Sequence, residues 1–183
     1  NPNETGSLQV AFGSYPYIPE LSPGLDTTIT PLPFIASGAV DSDGTGSAVE
    51  ASFTPSSETE GTLTYTVNDT GFAGIFHSFD DPVSTTEVEF HNLSTQHEIV
   101  LAALKAPQGK VRFEMKDSGG EERVYRLIGQ DGTLKYYSIN LDDPYFSGLN
   151  LAQIVDINLV IEGAINPNET GSLQVAFGSY PYI

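Results

Sequence analysis

The residues best suited to chemistry in this chain are carboxylates. Asp41-Ser42-Asp43-Gly44 puts two of them on alternate positions of a glycine turn, an arrangement that suits a hard cation. Glu50, Asp80 and Asp81 are further oxygen sources, with Asp142 and Asp143 after them. Calcium held by Asp41, Asp43, Glu50, Asp80 and Asp81 is one expectation. The other is turn chemistry, in which Asp side chains cap backbone N–H groups. His77, His91 and His97 share no metal-binding spacing, and His77 falls on one face with Ala73, Ile75 and Phe79, which places it in a core. Cysteine is absent, so there is neither a thiol nucleophile nor a disulfide. No GxSxG, HExxH or P-loop motif is present. Acids are abundant, but no Asp/Glu pair stands apart as a glycosidase pair would. A non-enzyme is expected, with no cofactor beyond calcium.

Modification chemistry is the second possibility. The sequons beginning at Asn3, Asn68, Asn92 and Asn168 are acceptors for N-linked glycans where the machinery exists. The Thr-rich stretch 27–31 offers hydroxyls for O-linked sugars.

The elements that must position these residues read as β. Leu8, Val10 and Phe12 alternate with Ser7, Gln9 and Ala11, a half-buried strand. Residues 15–33 carry Pro16, Pro19, Pro23, Pro31 and Pro33. Proline fixes φ and removes a donor, so an extended spacer is expected there. Strands follow at 48–54, 61–67 (Leu63, Tyr65 and Val67 inward), 71–79 (apolar on both faces) and 86–93 (presenting Val88 and Phe90). More follow at 98–104, 110–117, 122–128 and 134–141, the last two joined by the turn QDGT. Residues 147–154 predict one helical turn. Residues 155–163 predict a strand with Val155, Ile157, Leu159 and Ile161 inward, and 172–178 predict a last one. Short strands at this spacing, with little helix, mean an antiparallel β-sandwich.

The net charge is −17 over 183 residues. Nucleic acid and anionic membrane are therefore poor partners, and no stretch approaches the roughly 20 apolar residues of a membrane span. All seven cations lie between 105 and 135, a window near +2 against about −19 for the rest. The simplest reading of that window is a solvated strand face of mixed charge. Abundant Ser, Thr, Gly and Asn, scarce Lys and absent Trp resemble surface proteins of bacteria or archaea, so an extracellular or cell-surface location is expected.

The order GFAGIFHSFDD, then LKAPQGKVRFEMKDSGGEERVYRLIGQDGTLKYYSINL, then DINLVIEG and TGSLQVAFG resembles the galactose-binding-like jelly rolls of bacterial carbohydrate-binding modules, over roughly 60–178. The resemblance implies a jelly roll whose last strand seals the sandwich, glycan as a partner, and a structural calcium in many members. Such modules stack sugars on flat aromatic platforms. With no Trp in the chain, Tyr136, Tyr145 and Phe146 would take that role.

Residues 1–18 and 166–183 are the same eighteen residues, NPNETGSLQVAFGSYPYI, a period of 165. Identity over that length implies a tandem array of near-identical units. The expected division is 1–18 as the closing strand of a preceding repeat, 19–33 as a Pro-rich linker and 34–183 as the sandwich. One sandwich has one place for its closing strand, so the second copy, Leu8, Val10 and Phe12 matching Leu173, Val175 and Phe177, should pair with another unit. The leading expectation is a structural repeat of an extracellular fibre, stalk or adhesin, its partners copies of itself. The alternative is a carbohydrate-binding module of a larger secreted or surface protein.

Overall fold

The computed structural model describes residues 18–24, 30–32, 34–42, 50–56, 60–81, 83–94, 98–105 and 111–181. Two short strands come first, β1 (Glu20–Leu21) and β2 (Thr30–Pro31). Then follow β3 (Ala36–Ser42), β4 (Glu50–Pro55), β5 (Glu60–Thr66), β6 (Phe72–Ser78), β7 (Glu98–Lys105), β8 (Val111–Asp117), β9 (Glu122–Leu127), β10 (Lys135–Asn140), β11 (Ile154–Glu162) and β12 (Thr170–Pro181). One sheet has the order β1-β9-β8-β11-β6-β3. The second has β10-β7-β12-β5-β4, with β2 paired to β12. All these pairings are antiparallel except β1 with β9. The expected β-sandwich is the observed fold.

Period-2 alternation explains the core. Val111, Phe113 and Met115 of β8, Ile157, Leu159 and Ile161 of β11, and Leu63 and Tyr65 of β5 all face inward and are buried. They meet Leu173, Val175 and Phe177 of β12 in one cluster. Val155, expected inward, is half-exposed instead. A bulge between Ile154 and Asp156 breaks the β8–β11 register and turns it out of the core.

Thr86–Leu93 is not a strand. Apart from a single bridge between His91 and Ile154, it is a loop, with Val88 and Phe90 exposed. Carboxylates compete for its backbone. Asp80 Oδ1 accepts from Glu89 N at 2.9 Å, and Glu89 Oε2 accepts from Asp81 N at 3.2 Å. The helical turn expected in 147–154 is the 3-10 turn Leu151–Gln153, capped by the side chain of Asn150, and a second 3-10 turn, Pro144–Phe146, capped by Asp143, precedes it.

The described parts of the Pro-rich stretch run along the sandwich. Pro19 O accepts from Arg126 N at 2.8 Å, Leu21 O accepts from Ile128 N at 3.0 Å, and Gly24 N donates to Tyr136 O at 2.7 Å. Leu32 and Phe34 are buried in the core. Its apolar side chains give the sandwich something to hold.

Candidate binding face

Strands β6, β8 and β11 turn a second set of side chains away from the core. Register sets their neighbours. Asn158 of β11 lies between Phe76 of β6 and Glu114 of β8, Val160 lies between Gly74 and Arg112, and Glu162 lies beside Phe72. Together Phe72, Phe76, Arg112, Glu114, Asn158, Val160 and Glu162 line a groove of about 430 Å³. That is within the usual range for small-ligand sites.

Both phenylalanines are half-exposed, while Ala73, Ile75 and His77 between and beside them are buried. The Phe76 ring lies over β3 at Gly38. A Cβ built there would sit 2.8 Å from Cε1 and 3.0 Å from Cζ of that ring. Glycine at 38 therefore lets the ring lie down on the sheet.

The polar half of the groove is an ion-pair lattice. Arg112 and Arg126 are direct cross-strand partners on β8 and β9, a repulsive pair on its own. Glu162 resolves it by bridging both: Oε1 accepts from Arg112 Nη1 at 3.3 Å and Oε2 from Arg126 Nη2 at 3.3 Å. Arg112 Nε also lies 2.7 Å from Glu114 Oε1, close enough for an ion pair. Among the described residues its N–H makes no hydrogen bond, and neither does Arg126 Nε. Asn158 donates from its amide to Glu114 at 3.5 Å, while its Oδ1 has no partner among the described residues. Glu114 has a raised pKa, first because burial disfavours its charge and further through Glu122; Arg112 and Asn158 act in the opposite sense. The groove floor thus combines ring faces with donors and acceptors whose capacity the described residues do not fill.

The larger hollow, about 930 Å³, lies at one end of the sandwich against Ile35, Phe79 and residues 84–91. Phe79 is buried and stacks on His91 at 4.9 Å, so its ring is committed to the protein. Volume alone does not make this the better site.

The residues expected from sequence are not brought together. Phe146 is 3% exposed and packs in the core, so no sugar can stack on it. The reason is local: Pro144–Phe146 is a 3-10 turn that tucks Phe146 under Tyr125 and leaves Tyr145 half-exposed. Tyr145 is a structural anchor. Its hydroxyl donates to Val124 O at 2.8 Å, its ring meets Tyr125 edge-on at 5.1 Å, and Arg123 Nε donates to its carbonyl at 2.7 Å. Tyr136 is half-exposed on β10, in the other sheet from the groove.

The proposed calcium ligands also separate. Asp41 pairs in register with Ala73 near the start of β6, whereas Asp80 and Asp81 follow its end. Seven residues of strand put about 23 Å between those positions. Each described carboxylate caps backbone: Asp41 Oδ2 accepts from Ala51 N at 3.1 Å, and Asp81 Oδ1 from Val83 N at 3.1 Å. No group of three candidate metal ligands occurs among the described residues. Asp43 lies outside them, and of Glu50 only the backbone, in β4, is described.

Among the sequons, Asn168 is exposed and in the left-handed region, with φ of 54°. Asn92 is exposed, with Oδ1 accepting from Ser94 N and Oγ. Asn68 is buried, with Oδ1 accepting from Thr70 N and Gly71 N, which argues against a glycan there. Asn3, Leu8, Val10 and Phe12 lie outside the described residues, whereas Leu173, Val175 and Phe177 are buried in β12.

A family 11 carbohydrate-binding module of the cellulosomal cellulase Lic26A-Cel5E of Clostridium thermocellum has a similar fold, with a TM-score of 0.53 at 20% identity over 80% of this chain and 88% of that one. The fold is shared with a carbohydrate-binding module. A second family 11 structure from that organism, in complex with a beta-1,3-1,4-mixed-linked tetrasaccharide, gives a TM-score of 0.50 at 21% identity over 79% and 87% of the two chains. No protein-family model matches the chain, and no curated protein matches it.

The sandwich's groove residues Phe72, Phe76, Arg112, Glu114, Asn158 and Glu162 were not singled out by sequence. A signal existed in two places. The strand 71–79 is apolar on both faces, which reads as a central strand but equally as an outward aromatic row. The mixed charges of 110–117 read as a solvated face, and only the neighbouring strands show that they are half-buried.

Proposed function

We propose that this chain is a glycan-binding module, and that the groove on the outer face of β6, β8 and β11 is its binding face. The observation that carries this is the pairing of half-exposed Phe72 and Phe76 with the Arg112–Glu114–Asn158–Glu162 lattice on one sheet. Aromatic faces take the apolar C–H face of a sugar, and fork-shaped or carboxylate groups take its hydroxyls. The shared fold supports the same reading. A net charge of −17 favours neutral over anionic polysaccharide. Work of this kind is done outside cells, so an extracellular or surface location goes with it. Binding without turnover is the role proposed.

The test is isothermal titration with a soluble mixed-linkage β-glucan, alongside other neutral glucans. Wild type should bind, and Phe72→Ala and Phe76→Ala should each weaken binding at least tenfold, whereas Tyr136→Ala, on the other sheet, should not. Absence of binding to any neutral glycan in the panel would remove the reading.

A second reading is favoured by one separate observation, the exact repetition of residues 1–18 at 166–183. Near-identical units in series suit a fibre, stalk or adhesin, and a glycan-binding module can serve as such a unit.

A further inference from the structure

β12 does not close an edge. It lies inside its sheet, paired with β5 through Thr170–Ala176 and with β7 through Gln174–Pro181. Both of its backbone edges are used over that overlap. Its inward row is buried to 0% at Leu173, 4% at Val175 and 0% at Phe177. Phe177 packs against the rings of Phe34, His77 and Phe113 at 4.9–6.3 Å. Without β12 the sheet would have a slot with two unpaired edges and an open core.

Thr5–Pro16 has the residue of β12 at every position, from Thr5 for Thr170 to Pro16 for Pro181. The slot has no means of telling the two apart: hydrogen-bond capacity, inward row and outward row are the same. We infer that the β5–β7 slot is a docking site for Thr5–Pro16 of a second copy of this chain. A second copy, and not the same chain, follows from a short connection. Pro19 is hydrogen-bonded to Arg126 at the edge of the opposite sheet. For Pro16 to occupy the place of Pro181, three residues must cross to β12, two strands in from the β10 edge. They reach at most about 11 Å. The crossing is about 10 Å between sheets and two spacings of about 4.8 Å along the sheet, roughly 14 Å on the diagonal.

While Thr170–Pro181 is intact, its high local concentration keeps the slot filled. Disabling it hands the slot to the other copy. A chain that receives one strand and gives one strand makes a head-to-tail, non-closing contact, which propagates as a filament. This goes beyond glycan binding and is independent of it.

The test uses the full-length chain, refolded and sized by light scattering. Val175→Asp should shift from monomer to dimers and higher multiples. Val10→Asp/Val175→Asp should lose that association, and should regain native near-ultraviolet circular dichroism only with added peptide of residues 1–18. The same peptide carrying Val10→Asp should not restore it. A folded, monomeric Val175→Asp chain would show the slot filled in the same chain and overturn the assignment to a second copy. Association equal in the single and double variants would place the contact at a sheet edge instead. Failure of the unmodified peptide to restore the double variant would remove the slot as a docking site. None of these failures touches glucan binding by the wild-type chain, so the two readings fail separately.

Discussion

His77 sits at 0% exposure among Phe34, Phe53 and Phe177, with neither ring nitrogen hydrogen-bonded among the described residues. Burial pushes its pKa down to about 4. The unfolded chain takes up a proton near pH 6.5 and the folded chain does not until about pH 4. The stability associated with this residue is therefore complete above pH 6.5 and is lost progressively as pH falls toward 4, by about 3 kcal/mol. Replacing His77 by Leu should remove that share of the acid sensitivity, and should raise Tm at neutral pH because two unsatisfied nitrogens leave the core. Denaturant melts of both proteins between pH 4 and 7 check this; equal pH slopes would refute it. The core position of His77 was legible from its face-mates Ala73, Ile75 and Phe79. The burial of Phe146 was not, because a 3-10 turn has no period-2 pattern and the two aromatics of Tyr145-Phe146 look alike in sequence. What separates them is the Arg123 and Val124 contacts that hold Tyr145 at the surface.

Elements are held together at their ends by Asp side chains. Asp117 is the clearest case: 4% exposed at the end of β8, with Oδ1 accepting from Gly119 N at 2.9 Å and Glu121 N at 3.0 Å, and Oδ2 from Asn150 N at 2.8 Å. Burial raises its pKa, but the backbone N–H groups of Asn150, Glu121, Gly119 and Gly120 outweigh burial and the net shift is downward. One carboxylate thus ties the β8–β9 turn to the segment before β11. Asp117→Ala leaves three N–H groups without their acceptor and should cost about 3 kcal/mol, read as a lower denaturant midpoint at pH 7. The β-strands themselves were legible wherever one face is buried, as in 61–67 and 110–117. Residues 86–93 alternate just as well, yet form a loop. Asp80, from outside the segment, takes the Glu89 N–H, and the Glu89 side chain is turned back to Asp81 N. Alternation cannot show competition from another element.

At the scale of the molecule, seven cations against 24 acids leave a folded chain that repels itself. Three of the cations are also committed, Arg112 and Arg126 to Glu162 and Lys135 to Asp131 at 2.9 Å. Raising ionic strength from about 0.01 to 0.15 M shortens the screening length from about 30 to 8 Å. Tm should therefore rise by a few degrees by calorimetry, and a fall would show that the internal ion pairs outweigh the self-repulsion.

The sequence by itself determined the all-β class, the inward rows of most strands and the presence of one eighteen-residue stretch twice over. These follow from local alternation and identity, which need no knowledge of neighbours. Only the tertiary structure decided that β12 lies inside its sheet, that Phe72 and Phe76 share a groove with Arg112 and Glu162, and that Asp41 and Asp80 stand far apart. Each of those is a relation between strands distant in the chain, set by register and sheet order, and no single stretch of sequence encodes it.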